Sequence, residues 1–487
     1  MQVNVSDQNL NEIQADALCL VLFEGEGLSE VMQELDGHLQ GELTDLLTLK
    51  EFKGKLYETI VVYTHGLIKS PRIILVGAGK KEEYESPRLT KNIAGAAARR
   101  AVKLGVKKLA SLLPQQEATA GVIEGVILAN YDAGIYKSKK DNSKIEELIL
   151  VGADPKAVKE ATSTAEAINW ARHLISEPAN VMTPKKIADE ARKIARDYKL
   201  GIEVIDEKEA AKRKMGAFLA IAQGSDIPSY MLVLRYKSPR VSKTTLGIVG
   251  KGITFDTGGI SIKPSSKMHD MKMDMSGAAA MLAIMKLVGE TKPKVNIIGI
   301  APVTENMPSG KASRPGDVVK SLSGKTIEIL NTDAEGRVVM SDAFTYVQKL
   351  GANKIFELST LTGAAAVALG PEAAAILGKP DSWVKLVIDA AASVGERLWQ
   401  LPIYAEHKEL LKSDIADMGN IPAVRSADVI AGAVFLGEFV NKGVDWVHID
   451  IGATAWFDSE KPYLAKGPSG SGIGAALSLI KRLSSES

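Results

Sequence analysis

The chain has 487 residues, 45% of them hydrophobic and 24% charged, the proportions of a globular protein able to bury a substantial core. Lys and Arg number 60 against 59 Asp and Glu, so a net charge of +1 supplies no overall field to recruit nucleic acid or an anionic membrane. The single cysteine, Cys19, rules out an internal disulfide and fits a reducing compartment.

Met1–Asp7 lacks the basic start and long apolar core of a signal peptide. Ala15–Phe23, which carries Cys19 as a buried thiol, and Arg72–Val76 read as strands, the second running into Gly77, Ala78 and Gly79. Leu89–Leu104 reads as a helix, Lys107–Leu113 as a strand, Ala118–Ala133 as a helix and Ile145–Val151 as a strand. Such alternation implies α/β layers with mostly parallel pairing. Tyr136–Lys144 is a polar, lysine-rich loop, and Ala157–Leu174 is one long helix. Glu177–Asn180 follows that helix, because the residue before a proline is pushed out of helical geometry. The domain junction is placed in this helix near Ala165. The expected fold class is α/β with two domains: a smaller N-terminal α/β domain (1–165) and a larger C-terminal α/β domain (166–487) with a mixed sheet.

In the larger domain, Leu246–Gly250, Val295–Ala301, Thr326–Leu330, Ile355–Leu358 and Trp446–Ile449 are short apolar runs, as expected of strands buried on both faces. Helical patterns lie between them at Gly277–Val288, Met340–Leu350 and Val429–Val440. The smoothest apolar region, Gly363–Pro380, is interrupted by Pro371 and Glu372 and is poorly suited to cross a bilayer. A cytoplasmic protein with no membrane partner is expected.

Three segments carry the chemistry. Lys251–Lys263 holds Asp256 between two lysines beside Gly258 and Gly259, which let backbone approach an ion or substrate. Asp274 precedes the helix start at Ser276 and Gly277, where an acid serves either as an N-cap or as a ligand. Asn331–Arg337 places Asp333 and Glu335 two apart, so an extended backbone would point both the same way; Gly336 permits a turn, and Arg337 opens a helix whose free N–H groups favour an anion. The first and third segments begin where strands end, the edge at which open α/β sheets place ligands. Several oxygen ligands of this kind suit divalent cations, and bridging carboxylates suit a pair of them. Lys251 would coordinate only in its neutral form, which a nearby dication can stabilise. The six histidines show no paired-ligand spacing, Gly77–Lys80 lacks phosphate-loop spacing, and no Gly-x-Ser-x-Gly elbow is present.

Together these segments resemble the leucyl aminopeptidase (cytosol aminopeptidase) family of two-metal peptidases. The likeness extends through Met271–Gly277, Glu305–Gly310, Arg314–Val318, Thr360–Gly363 and Ser413–Met418, and covers the chain from about Trp170 onward. It implies two divalent ions per subunit, zinc or manganese, with cobalt or magnesium as further options. One would be held by Asp256, Asp333 and Glu335, the other by Lys251, Asp256, Asp274 and Glu335. A metal-bound water would attack the peptide, Lys263 would polarise the scissile carbonyl, and Arg337 would hold a bicarbonate ion as general base. The substrate pocket would draw on Met271, Thr360, Gly363 and the Gly452–Ala455 stretch including Ala455, favouring leucine and other apolar residues. Where the family usually reads Asp-Ile-Ala-Gly, this chain reads Asp450, Ile451, Gly452, Ala453, which bears on side-chain preference. The resemblance also implies a homohexamer acting on peptides. Two other readings are a DNA-binding role, which needs a local basic patch on an oligomer, and a two-metal phosphoesterase, which the lysine ligand and the anion-holding arginine disfavour.

Overall fold

The computed structural model describes residues 1–84, 87–112, 118–139, 143–422 and 426–485. The chain divides into two units: Met1–Asn169 with Asp458–Lys466, and Trp170–Phe457 with Gly467–Ser487. The α/β class with two domains is what the sequence predicts. The division falls inside the helix Pro155–Ser176. Leu113 and residues 140–142 of the Tyr136–Lys144 loop lie outside the described residues.

The first unit is built on β1 (Gln2–Ser6), β2 (Ala17–Leu22), β3 (Thr59–Tyr63), β4 (Arg72–Gly77), β5 (Lys108–Leu112) and β6 (Glu147–Val151), in the order β1-β6-β5-β2-β4-β3. Every pair is parallel except β3 with β4. Ile73, Ile74, Leu75 and Val76 are all buried, which explains why β4 reads as an unbroken apolar run rather than an alternation. Helices Arg88–Lys103 and Thr119–Ala129 cross closely because Gly125 has no side chain; a Cβ there would lie 2.1 Å from the Lys91 carbonyl. Asp458–Lys466 belongs to this unit although it arrives from far along the chain. The Tyr463 ring packs tilted against that of Tyr57, centroids 5.3 Å apart, its carbonyl rests on Gly95, and Glu460 pairs with Arg99.

The second unit carries a nine-stranded mixed sheet. Its strands are β7 (Gly201–Asp206), β8 (Tyr230–Tyr236), β9 (Thr245–Gly250), β10 (Gly252–Asp256), β11 (Asn296–Asn306), β14 (Lys354–Ser359), β15 (Ala374–Lys379), β16 (Leu398–Gln400) and β18 (Asp445–Asp450). The order is β16-β15-β18-β14-β9-β11-β8-β7, with β10 paired to the far end of β11. β9, β11, β14 and β18 run parallel. Here the structure corrects one expectation. The run beginning at Thr326 forms only the short β13 (Thr326–Glu328), which joins β12 (Val318–Lys320) and β17 (Met418–Gly419) in a separate three-stranded sheet. Asp417 fixes that placement by accepting the Thr326 N–H at 2.7 Å and its hydroxyl at 2.9 Å. The loop carrying Asp333 therefore reaches the site from a side sheet rather than from the edge of the main one.

The helix expected at Met340–Leu350 begins five residues earlier, spanning Glu335–Lys349. Its Asp342 is fully buried and accepts backbone N–H groups from Phe218 at 2.9 Å and Leu322 at 2.7 Å, tying two segments to the helix. Asp342→Ala strands both donors, so urea unfolding of the variant is expected to show a loss of about 2–4 kcal/mol. An unchanged midpoint would mean that those donors find other partners.

Candidate metal centre

Lys251 is the one residue between β9 and β10, and its N–H donates to the Leu358 carbonyl at 3.1 Å. β10 then carries the chain to Asp256, which is the last residue of a strand rather than part of a loop. Asp256 Oδ1 accepts the Gly258 N–H at 2.9 Å and Asn306 Nδ2–H at 2.8 Å. The backbone turns at once through Gly258 and Gly259, with φ of +88° and +68°, values that disfavour any side chain. A Cβ on Gly258 would also lie 2.8 Å from Asp333 Oδ1.

Asp333 and Glu335 converge by a different geometry from the extended one expected. Asn331 accepts the Asp333 N–H on its side chain at 2.8 Å, closing a 3₁₀ turn over Thr332–Ala334, and Glu335 then starts the long helix. Gly336 is helical, so it makes no turn. Its missing Cβ leaves room for Lys251, whose Cε would otherwise be 2.5 Å away. Carboxylate oxygens of Asp256, Asp333 and Glu335 lie within 4.8 Å of one another.

Asp274 sits in the 3₁₀ helix Met268–Met275 and does not cap the next helix, whose N-cap position is Met275. Its Oδ1 instead accepts Lys251 Nζ at 2.9 Å and the Thr360 hydroxyl at 2.6 Å. Lys251 Nζ also reaches Glu335 at 2.8 Å and the Thr360 carbonyl at 3.2 Å. Lys263 Nζ lies 2.8 Å from Asp256 and 2.5 Å from Asp333. Asp274 Oδ2 and Asp333 Oδ1 are within ion-pair distance of these lysines but, among the described residues, accept no hydrogen bond of good geometry.

Four carboxylates thus face two ammoniums in a largely buried setting. Burial pulls the Lys251 pKa down, but Asp274, Glu335 and Asp256 outweigh it and hold the ammonium above its ordinary range. Lys263 behaves alike: burial opposes, and Asp256, Glu335 and Asp333 prevail. Burial and the neighbouring Asp256 raise Glu335 and Asp333, and burial raises Asp274 against the pull of Lys251. Glu335, Asp333 and Asp274, like the two lysines, thus bind a proton more tightly than such groups ordinarily do, the mark of a site short of positive charge. Divalent cations supply that charge, and the carboxylate oxygens are donors suited to them.

A cavity of about 370 Å³ opens above this cluster. Lys251, Asp256, Lys263, Asp274 and Asp333 line it, together with Met268, Met271, Met273, Thr360, Leu361, Thr362, Gly363 and Gly452. Met271, Thr360 and Gly363 line this cavity, while Ala455, whose N–H donates to the Ile451 carbonyl at 2.8 Å, is buried outside its lining. Arg337 also lies outside the lining. It is buried in the first turn of its helix, donates through Nη1 to the Asn420 carbonyl at 2.9 Å, and its Nε meets no acceptor among the described residues.

Asn306 is a site residue to which the sequence reading assigned no role. Its Nδ2 ties Asp256 to the Thr332 carbonyl at 3.0 Å and lies 3.4 Å from Glu335. The available signal was a polar residue ending a buried apolar strand.

These features define a candidate metal centre beside a cavity, and comparison with known proteins places the chain among the metal-dependent aminopeptidases. The catalytic domain of the cytosol aminopeptidase family matches residues 169–477, and that family's N-terminal domain matches residues 19–140. A probable cytosol aminopeptidase of Alkaliphilus oremlandii is 40% identical over 99% of this chain and 100% of its own length. One from Solibacter usitatus is 39% identical over 96% of this chain and 97% of its own. Among solved structures, a mutant tomato leucine aminopeptidase superposes with a TM-score of 0.90 at 33% identity, covering 99% of this chain and 96% of that one. The bottromycin maturation enzyme BotP in complex with Mn does so at 0.85 and 30% identity, covering 96% and 100%. The chain belongs to the cytosol aminopeptidase family.

Proposed function

We propose that this aminopeptidase releases leucine and other apolar N-terminal residues from peptides, using two divalent cations. The observation that carries the reading is the convergence of Asp256, Asp333 and Glu335 within 4.8 Å, beneath a cavity with a partly apolar wall. Asp256, Asp333 and Glu335 would hold one cation; Lys251, Asp256, Asp274 and Glu335 the other, with Asp256 and Glu335 shared. When bound, the pair supplies a Lewis acid and a water activated for attack at neutral pH. Manganese or zinc is the expected metal, with cobalt or magnesium as substitutes.

The remaining work falls to the chain's own groups. Asn306 holds the Asp256 carboxylate in its rotamer. Lys263, which lines the cavity, donates a hydrogen bond to the scissile carbonyl and stabilises negative charge as it develops there. Met268, Met271 and Met273 form an adaptable apolar wall for the departing residue's side chain. Arg337, whose Nε has no partner among the described residues, would hold bicarbonate as general base. A homohexamer in the cytoplasm is the expected form. No helix among the described residues is long and apolar enough to cross a membrane.

Removal of metal tests the reading. Exhaustive chelation should abolish hydrolysis of leucine anilide, and manganese, cobalt or zinc should restore it. On a panel of aminoacyl anilides, leucine should exceed aspartate or lysine by at least about tenfold, the discrimination expected of an apolar pocket. Full turnover after chelation would end the two-cation proposal.

A further inference from the structure

One face of β14 and β18 is apolar, with Phe356, Leu358, Val447 and Ile449 buried there. The other face carries Glu357 and Ser359 beside His448 and Asp450, register partners on adjacent parallel strands. All four are fully buried, and the strands on either side oppose them with Val249 and Leu377. Replacing such a cluster with apolar side chains is often neutral or stabilising, so stability alone does not explain it.

The geometry leads from this cluster toward the site. His448 Nδ1 bonds Glu357 Oε2, and its Nε2 lies 4.0 Å from Asp450 Oδ2. Asp450 Oδ1 accepts the N–H groups of Leu361 at 3.2 Å, Thr362 at 3.4 Å and Gly452 at 3.0 Å; Oδ2 takes the Thr362 hydroxyl at 2.7 Å. Those residues line the cavity, and the adjoining Thr360 contacts both Lys251 and Asp274. A continuous chain of contacts therefore runs from the middle of the sheet to the cation cluster.

We infer that His448 is a positioning residue: hydrogen-bonded to Glu357 and standing 4.0 Å from Asp450, it steadies by charge the carboxylate that holds the Thr360–Gly363 loop against Lys251 and Asp274, and so governs turnover without touching substrate. The inference rests on the aminopeptidase reading of the site. Burial lowers the imidazole pKa, but Glu357 and Asp450 outweigh it and hold it above its ordinary value.

Two replacements separate the two ends of the imidazole. His448→Asn retains a polar atom near Nδ1, within reach of Glu357 only; His448→Gln retains one near Nε2, facing Asp450. In the manganese-loaded enzyme, His448→Asn should lower kcat for leucine anilide by about 10- to 100-fold with KM nearly unchanged, whereas His448→Gln should regain most of it. Amide hydrogen exchange at Leu361, Thr362 and Gly452 should quicken at least about tenfold in His448→Asn and not in His448→Gln. Thr362→Val, which removes only the hydroxyl on Asp450, should reproduce the effects on kcat and on exchange at Leu361 if His448→Asn does not fold. Wild-type kcat in His448→Asn, or equal losses in both variants with exchange quickened evenly along β14 and β18, would overturn the inference. Exchange is read without substrate, so it decides the matter even if the wild-type enzyme were inactive on the anilide, a result that would sink the aminopeptidase reading instead.

Discussion

Glu335→Ala and Asp274→Ala should each lose about a hundredfold to a thousandfold in kcat/KM, equivalent to several kcal/mol of transition-state stabilisation, while melting close to wild type. Both side chains hold Lys251, and Glu335 closes the trio with Asp256 and Asp333. Folding should be spared for a physical reason. Burial raises both acids above their ordinary pKa, so ionising them in the fold already costs free energy. Alanine is also the best helix former for the first turn of Glu335–Lys349. Metal content of the purified variants, by mass spectrometry, should fall with activity. Near-normal rates in either variant would remove that residue from the ligand set.

Lys263→Ala should lower kcat by about 10²–10³-fold and leave KM within a few-fold, the signature of a contact made chiefly in the transition state. In the resting protein its ammonium is shared between Asp256 and Asp333 at the cavity wall. Steady-state kinetics on leucine anilide separates the cases: a rise in KM alone would make Lys263 a binding group. Lys263→Arg should not restore the rate, since a planar guanidinium cannot occupy the same point between two carboxylates.

The three acidic segments were legible because their chemistry is dense: acids, lysines and an arginine gather where apolar runs end or a helix begins. The routes by which they meet were less so. Thr326–Glu328 and Thr245–Gly250 look alike as apolar runs, yet only the second enters the main sheet, because the sheet a short strand joins depends on distant partners such as Asp417. Gly336 invited a turn, and its actual task, clearing space for Lys251, depends on a residue 85 positions away. The helix Pro184–Tyr198 was readable and went unread: Thr183 accepts the Lys186 N–H as its N-cap, and Pro184 occupies the first turn. Asn306 carries no charge and no motif of its own, so only its contacts reveal it.

The excursion at Asp458–Lys466 bears on how the protein can be dissected. Because this stretch belongs with the first 169 residues, a gene truncated there would encode a fragment without the tyrosine that covers Gly95 and the glutamate that pairs with Arg99. Such a fragment should be poorly soluble. Supplying the missing nonapeptide through a short graft, rather than moving the truncation point, is the rational way to obtain the amino-terminal half by itself.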